Sequence, residues 1–165
     1  MKILIENPLG KFIEDVKRSL KYIKKLILIS PFFELDDNAM RAFMGIVRDL
    51  IRQNATVTLI VNEKNMTTDM IHLCNDLSIC LLPHPDLHAK IYLGSCSIYG
   101  RSTALITSAN LTSAALTKNV EVGVLIGPSK DAKANKDNKL FRDTQMAVEK
   151  IINQCVVYRD KNGRC

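Results

Sequence analysis

The sequence predicts an α/β fold, a mixed central β-sheet with helices on both faces. Two observations lead there. Through residue 82, apolar runs fit for strands alternate with stretches of helical periodicity, in the order β-α-β-α-β-α-β. Beyond it the chain turns to strands with little helix between them, until one last helix near the C-terminus. The 165 residues, 47% hydrophobic and 24% charged, suit one globular domain, taken as residues 1–158, and exclude disorder of the whole chain. Residues 159–165 are predicted to fray.

Lys2 to Glu6 is the opening strand. Phe12, Val16, Leu20 and Ile23 then recur at helical spacing between charged residues, which makes an amphipathic helix. Leu26 to Ser30 is an apolar run suited to a buried strand, and Pro31 stops it. Asp36, Asp37 and Asn38 offer N-caps for a second helix, with Met40, Phe43, Met44, Val47, Leu50 and Ile51 as its core stripe. Asn54 ends it, and Thr56 to Val61 is a strand rich in β-branched residues. Thr67, Thr68 and Asp69 start a short helix through Cys74, and Leu77 to Leu82 follows as a strand. Leu87 to Leu93, Ala104 to Ser108 and Val120 to Ile126 complete the strands. Residues 128–139 are polar and lysine-rich, which predicts an exposed flexible basic loop. The final helix carries Phe141, Val148, Ile151, Ile152 and Cys155 on one side.

Leu26 to Phe33, the longest nearly unbroken apolar run, is too short to span a bilayer. The N-terminus turns polar at Glu6 without an apolar signal core. Five cysteines, Cys74, Cys80, Cys96, Cys155 and Cys165, are odd in number and lack metal-type spacing, so reduced thiols in a cytoplasmic protein are expected. A net charge of +6 favours a polyanionic partner. With no Trp and 5% aromatic residues, an extended stacking platform for single-stranded nucleic acid is not expected.

Three segments carry candidate chemistry. In the strand Leu87 to Leu93, alternation puts His88, Lys90 and Tyr92 on one face and Leu87, Ala89, Ile91 and Leu93 on the other, the core face. An imidazole and an ammonium then share one space; the alternative is an amphipathic edge strand with a solvated polar face. Ser108 and Asn110, again two apart, leave an apolar strand at a turn. Their uncharged polar groups suit phosphate oxygens, and Ser108, Asn110, Thr112 or Ser113 can equally cap a short helix through Leu116. Glu121 lies among Val120, Val122 and the apolar residues after Gly123. A carboxylate there either finds a partner, a histidine being a natural one, or faces water at a strand end. His84, Asp86 and His88 are plausible metal ligands by type, but Pro85 breaks their spacing and nothing completes a set, so no metal is expected.

HAKIYL, TSANLTSAAL and NVEVGVLI, taken in order, resemble the phospholipase D superfamily: a histidine and lysine two apart, a Ser-x-Asn, and a later acidic residue. The upstream LILISPFF resembles that family's early strand ending in Ser-Pro-aromatic. The likeness covers most of the chain and points to the single-motif bacterial nucleases and metal-independent restriction endonuclease domains. Two positions depart from the pattern. Many members carry Asp five residues after the lysine, where this chain has Ser95, and Gly before the serine, where it has Thr107. The resemblance tolerates the first change where the downstream Glu is kept.

The resemblance implies a phospholipase D-like fold and phosphodiester cleavage through a covalent phosphohistidine, without cofactor or metal. His88, Lys90, Asn110 and Glu121 are then the catalytic candidates, with Lys90, Ser108 and Asn110 toward the phosphate. In-line displacement needs one group to attack and another to protonate the leaving oxygen, while the chain has one His-Lys motif. Both the count and the resemblance imply a homodimer with two copies of His88 at its axis. DNA is the expected substrate, RNA the next, and no membrane is expected. No separate DNA-reading domain is visible, so sequence-specific cutting would need a partner subunit or the basic loop. The competing readings are a weak or inactive nucleic-acid-binding and dimerisation module, and a phospholipid hydrolase or phosphatidyltransferase.

Overall fold

The computed structural model describes residues 1–127 and 135–155. Seven strands form one sheet: β1 (Lys2–Glu6), β2 (Ile23–Ile29), β4 (Thr56–Asn62), β5 (Cys80–His84), β6 (Ile91–Cys96), β7 (Thr103–Thr107) and β9 (Glu121–Ile126), in the order β1-β9-β7-β6-β2-β4-β5. β2, β4 and β5 pair in parallel, whereas β6 runs antiparallel between β2 and β7, and β9 antiparallel to β7 and β1. Two short strands, β3 (Phe33–Glu34) and β8 (Leu111–Thr112), form a separate parallel pair. The helices are α1 (Pro8–Ser19), α2 (Asp37–Arg52), α3 (Thr68–Asp76), α4 (Ser113–Thr117) and α5 (Asn135–Gln154).

Polar residues just before the helices start them. Asn7 accepts from the Gly10 amide at 2.7 Å with Pro8 at the first helical position of α1, Asp36 accepts from the amides of Asn38 and Ala39, and Thr67 from that of Met70. The middle of the sheet is buried on both faces, so its inner strands are apolar at successive positions rather than alternating. Along β2, Leu26 and Leu28 face a core built with Leu9, Phe12 and Val16 of α1, Val47 and Leu50 of α2, and Met70 and Cys74 of α3. Ile27 and Ile29 face a second core completed by Phe141 and Val148 of α5. The fold is therefore mixed α/β with helices on both faces of a central sheet, as the patterning predicts.

Several boundaries move. The stripe read as one helix through Ile23 breaks at Ser19: Leu20–Tyr22 form a 3-10 turn and Ile23 already belongs to β2. β5 starts at Cys80, not Leu77, because Leu77 closes α3 and Ser78 takes a positive φ of 55° to turn the chain. β6 begins at Ile91 rather than Leu87 and runs on to Cys96. The stretch read as loop 128–139 is helical from Asn135; α5 opens on polar turns, so its apolar periodicity starts only at Leu140. The rest of that loop, and the tail 159–165, lie outside the described residues. Of the expected capping candidates, Thr112 is the residue that caps α4, accepting from the Ala115 amide at 3.2 Å.

Cys80 is disulfide-bonded while Cys74, Cys96 and Cys155 are free thiols, so the expectation of five reduced cysteines fails at Cys80. An odd number of cysteines without metal-type spacing does not exclude such a bond.

Gly123 lets α1 sit close over β9. A Cβ there would lie 2.8 Å from Cβ of Pro8 and 2.9 Å from a methyl of Leu105. We expect Gly123→Ala to lower stability by about 1–3 kcal/mol through overpacking, read as a lower urea midpoint with an unchanged m-value.

Candidate active site

Strand direction gathers the candidate residues. β6 starts where β2 ends, with Ile91 opposite Ile29, and β7 ends there too, with Ile106 opposite Ile91. β9 starts beside the end of β7, Gly123 facing Thr107. His88 and Lys90, just before β6, thus share one edge of the sheet with Ser108 and Asn110, just after β7, and with Glu121, the first residue of β9.

The segment carrying His88 is anchored from below. Leu87 is buried in the α5-side core, and its carbonyl accepts from Nδ2 of Asn62 at 3.2 Å. The Lys90 carbonyl accepts from the Thr107 amide at 3.2 Å, which carries the β6–β7 ladder one step beyond the strand. His88 is exposed and Lys90 half-buried, the ammonium donating to the His88 carbonyl at 3.3 Å. The expected core face of Leu87, Ala89, Ile91 and Leu93 does pack in the α5-side core. The other face is not a solvated edge: β6 is central, and Tyr92 is fully buried in the opposite core.

Ser30, Tyr92 and Ala109 form a polar node under the site. The Tyr92 hydroxyl donates to the Ala109 carbonyl at 2.9 Å. Ser30 Oγ donates to the Phe32 carbonyl at 2.6 Å and accepts from the Leu111 amide at 2.8 Å. Burial holds the Tyr92 phenol well above its usual range; a hydrogen bond with Ser30 opposes this and the charge of Glu121 reinforces it. Tyr92 is thus a protonated donor at ordinary pH. Tyr92 and Ser30 are the residues sequence reasoning undervalued. The signals were a hydroxyl closing the apolar run LILIS and a tyrosine in register with His88 and Lys90.

Ser108 and Glu121 meet directly, the hydroxyl donating to Oε2 in a short hydrogen bond. Asn119 Nδ2 donates to the other oxygen, Oε1, at 3.2 Å, and Ser108 Oγ accepts from the Val122 amide at 3.1 Å. Glu121 therefore has a serine partner within the chain rather than a histidine, and the Ser108 proton is committed to it. Asn110 Oδ1 is buried without a hydrogen-bond partner. An unmet buried acceptor of this kind costs about 1–3 kcal/mol.

The two positions that depart from the motif have different surroundings. Ser95 lies well along β6, opposite Lys25, roughly 13 Å of strand from Ile91. Thr107 Oγ1 donates to the Val122 carbonyl at 2.8 Å and accepts from the Ala109 amide at 3.1 Å, which shapes the turn that presents Ser108 and Asn110.

The other candidates sit apart. His72 is exposed on α3. His84 Nδ1 accepts from the Asp86 amide at 3.2 Å, and among the described residues no group of three or more His, Cys, Asp or Glu is placed to hold a metal ion. Burial pushes Cys74 up to about 12 and Cys155 up to about 11, so neither is a ready nucleophile at neutral pH. No helix among the described residues is long and apolar enough to cross a membrane.

We expect Tyr92→Phe to retain the ring packing and to lose about 1–2 kcal/mol of stability, because the buried Ala109 carbonyl loses its donor; equilibrium urea unfolding checks this.

No protein-family model matches the chain, and no curated protein is significantly similar to it in sequence. Solved structures do match. Nuc from Salmonella typhimurium, a phospholipase D family member, superposes with a TM-score of 0.65 at 18% identity, over 96% of this chain and 99% of Nuc. NucT from Helicobacter pylori gives 0.62 at 12% identity, over 95% and 99%. Phosphatidylserine synthase from Haemophilus influenzae Rd KW20 gives 0.60 at 16% identity, over 95% of this chain and 39% of that one. The chain shares its fold with Nuc, a phospholipase D family member, and with NucT.

Proposed function

We propose that the protein is a metal-independent phosphodiesterase, a nuclease acting on DNA or RNA through a covalent phosphohistidine in a homodimeric site. The observation that carries this reading is the meeting of His88-x-Lys90, Ser108-x-Asn110 and Glu121 at one sheet edge of this fold. The net charge of +6 supports a polyanionic substrate.

One nitrogen of the neutral His88 ring attacks phosphorus, and the P–O bond to the leaving oxygen breaks in line. That oxygen takes its proton from the partner's His88, which starts as imidazolium. The partner's ring, now neutral, removes a proton from water, which displaces the first histidine and restores both rings. Lys90 and the Asn110 amide hold the non-bridging oxygens, the lysine supplying positive charge where the transition state is negative. Ser108 keeps Glu121 in place and shares its charge.

The second copy has an apolar surface to dock on. β1 and β9 pair Ile5 with Val122 and Ile3 with Val124, and β7 sets Ile106 against Val124. Ile3, Ile5, Ile106 and Val122 are exposed, on the sheet face where α5 covers other strands. This patch lies beside Ser108 and Glu121, so a second chain seated on it borders the site. We expect the wild type to be a dimer by analytical ultracentrifugation, and the double change Ile5→Lys, Val122→Lys to make it a monomer with at least about a hundredfold lower activity, since one imidazole is removed from each site.

The direct test is cleavage of plasmid and single-stranded DNA and of RNA at low salt in excess EDTA. Wild type should cut at least one of these, and His88→Ala should be at least about a thousandfold slower. Full activity in His88→Ala, or in a monomeric wild type, contradicts the proposal.

A further inference from the structure

The proposed nuclease site has an aromatic residue at its rim that neither core uses. We propose that Phe32 is a stacking surface for a base flanking the scissile phosphate, and so a specificity-determining residue for unpaired nucleotides. The inference rests on the nuclease reading of the site.

The placement comes from register. β3 and β8 pair in parallel with Phe33 beside Leu111, so Phe32 immediately precedes one strand of the pair and Asn110 the other, and Ser30 Oγ ties the Phe32 carbonyl to the Leu111 amide. Hydrogen bonds fix the segment at several points. The Ser30 amide donates to the Ile60 carbonyl at 3.0 Å. The Pro31 carbonyl accepts from the Asn62 amide at 3.4 Å and from Asn65 Nδ2 at 3.0 Å. Two phenylalanines follow, and the fold uses one. Phe33 packs edge-on against Phe43 with ring centroids 5.5 Å apart, while Phe32 is 50% exposed.

A large apolar ring held out to solvent by a rigid backbone gains nothing from burial. It does suit a flat ligand, because the ordering is done before binding. A phosphate-holding group at Asn110 and a π-face at Phe32, each just before a strand of the same pair, match a nucleotide, the phosphate on one and the base on the other. Bases stack on aromatic rings with little sequence preference, and they must be unpaired to do so. One such ring also fits a chain too poor in aromatic residues for an extended platform.

The test uses His88→Ala as the uncleaving parent and fluorescence anisotropy with a dT12 oligomer, the same oligomer made abasic, and a duplex. Adding Phe32→Ala or Phe32→Leu should weaken dT12 binding about tenfold, whereas Phe32→Trp should bind as well as the parent. Leu keeps an apolar side chain without a π-face, so parallel losses in Ala and Leu point to stacking. The abasic oligomer and the duplex should be insensitive to residue 32. Equal dT12 affinity in the parent and the Ala and Leu variants, with binding intact, overturns the stacking role and leaves the nuclease reading standing. So does a shift from dimer to monomer in the Ala and Leu variants, which makes Phe32 an interface residue. Absence of binding to every probe by the parent overturns both.

Discussion

The antiparallel insertion of β6 between β2 and β7 is the constraint on which the rest of the candidate site depends. In a wholly parallel sheet, the start of one strand and the end of the next lie at opposite edges. Because β6 runs against both neighbours, its first residues stand beside the last residues of β2 and β7. That reversal brings together a histidine-lysine pair and a serine-asparagine turn, and the antiparallel pairing of β9 with β7 adds the strand-opening glutamate. The polar node of Ser30, Tyr92 and Ala109 then locks the turn after β7 to the end of β2 from beneath.

Charge at this edge is arranged economically. Glu121 has both oxygens engaged, by Ser108 and Asn119, and its field helps to keep Tyr92 protonated inside the core. Among the described residues Lys90 has no carboxylate partner and donates to a backbone carbonyl, leaving its positive charge available to an anion. A carboxylate tied within the chain and a cation left open make a surface suited to phosphate.

Much of this was legible in the sequence, for reasons that differ by element. Buried inner strands and capped helices announce themselves through apolar runs and Ser, Thr, Asp or Asn at their starts, as with Leu26 to Ser30 and Asp36. Helix and strand ends were read less well where one apolar stripe crosses two elements, as at Leu20 and Ile23, or where a helix opens on polar turns, as at Asn135. Alternation placed His88 and Lys90 on one face but missed that Tyr92, on that same face, is wholly buried, since a tyrosine with a partner for its hydroxyl is at home in a core. The Ser108–Glu121 pairing was not legible: it depends on β7 and β9 being neighbours, which sequence patterning does not specify. Ser95 and Thr107 are departures visible in the sequence; in the fold Ser95 lies along β6 away from the edge that carries His88, and Thr107 hydrogen-bonds within the turn.

The central claim is that His88 forms a bond to phosphorus. Acid-quenched mass spectrometry of wild type, taken during turnover of a short oligonucleotide in EDTA, tests it most directly. The account predicts a nucleotidyl adduct on the peptide containing His88, which disappears as product accumulates and is absent from His88→Ala. Turnover without any adduct on that peptide, accompanied by full activity in His88→Ala, would contradict it.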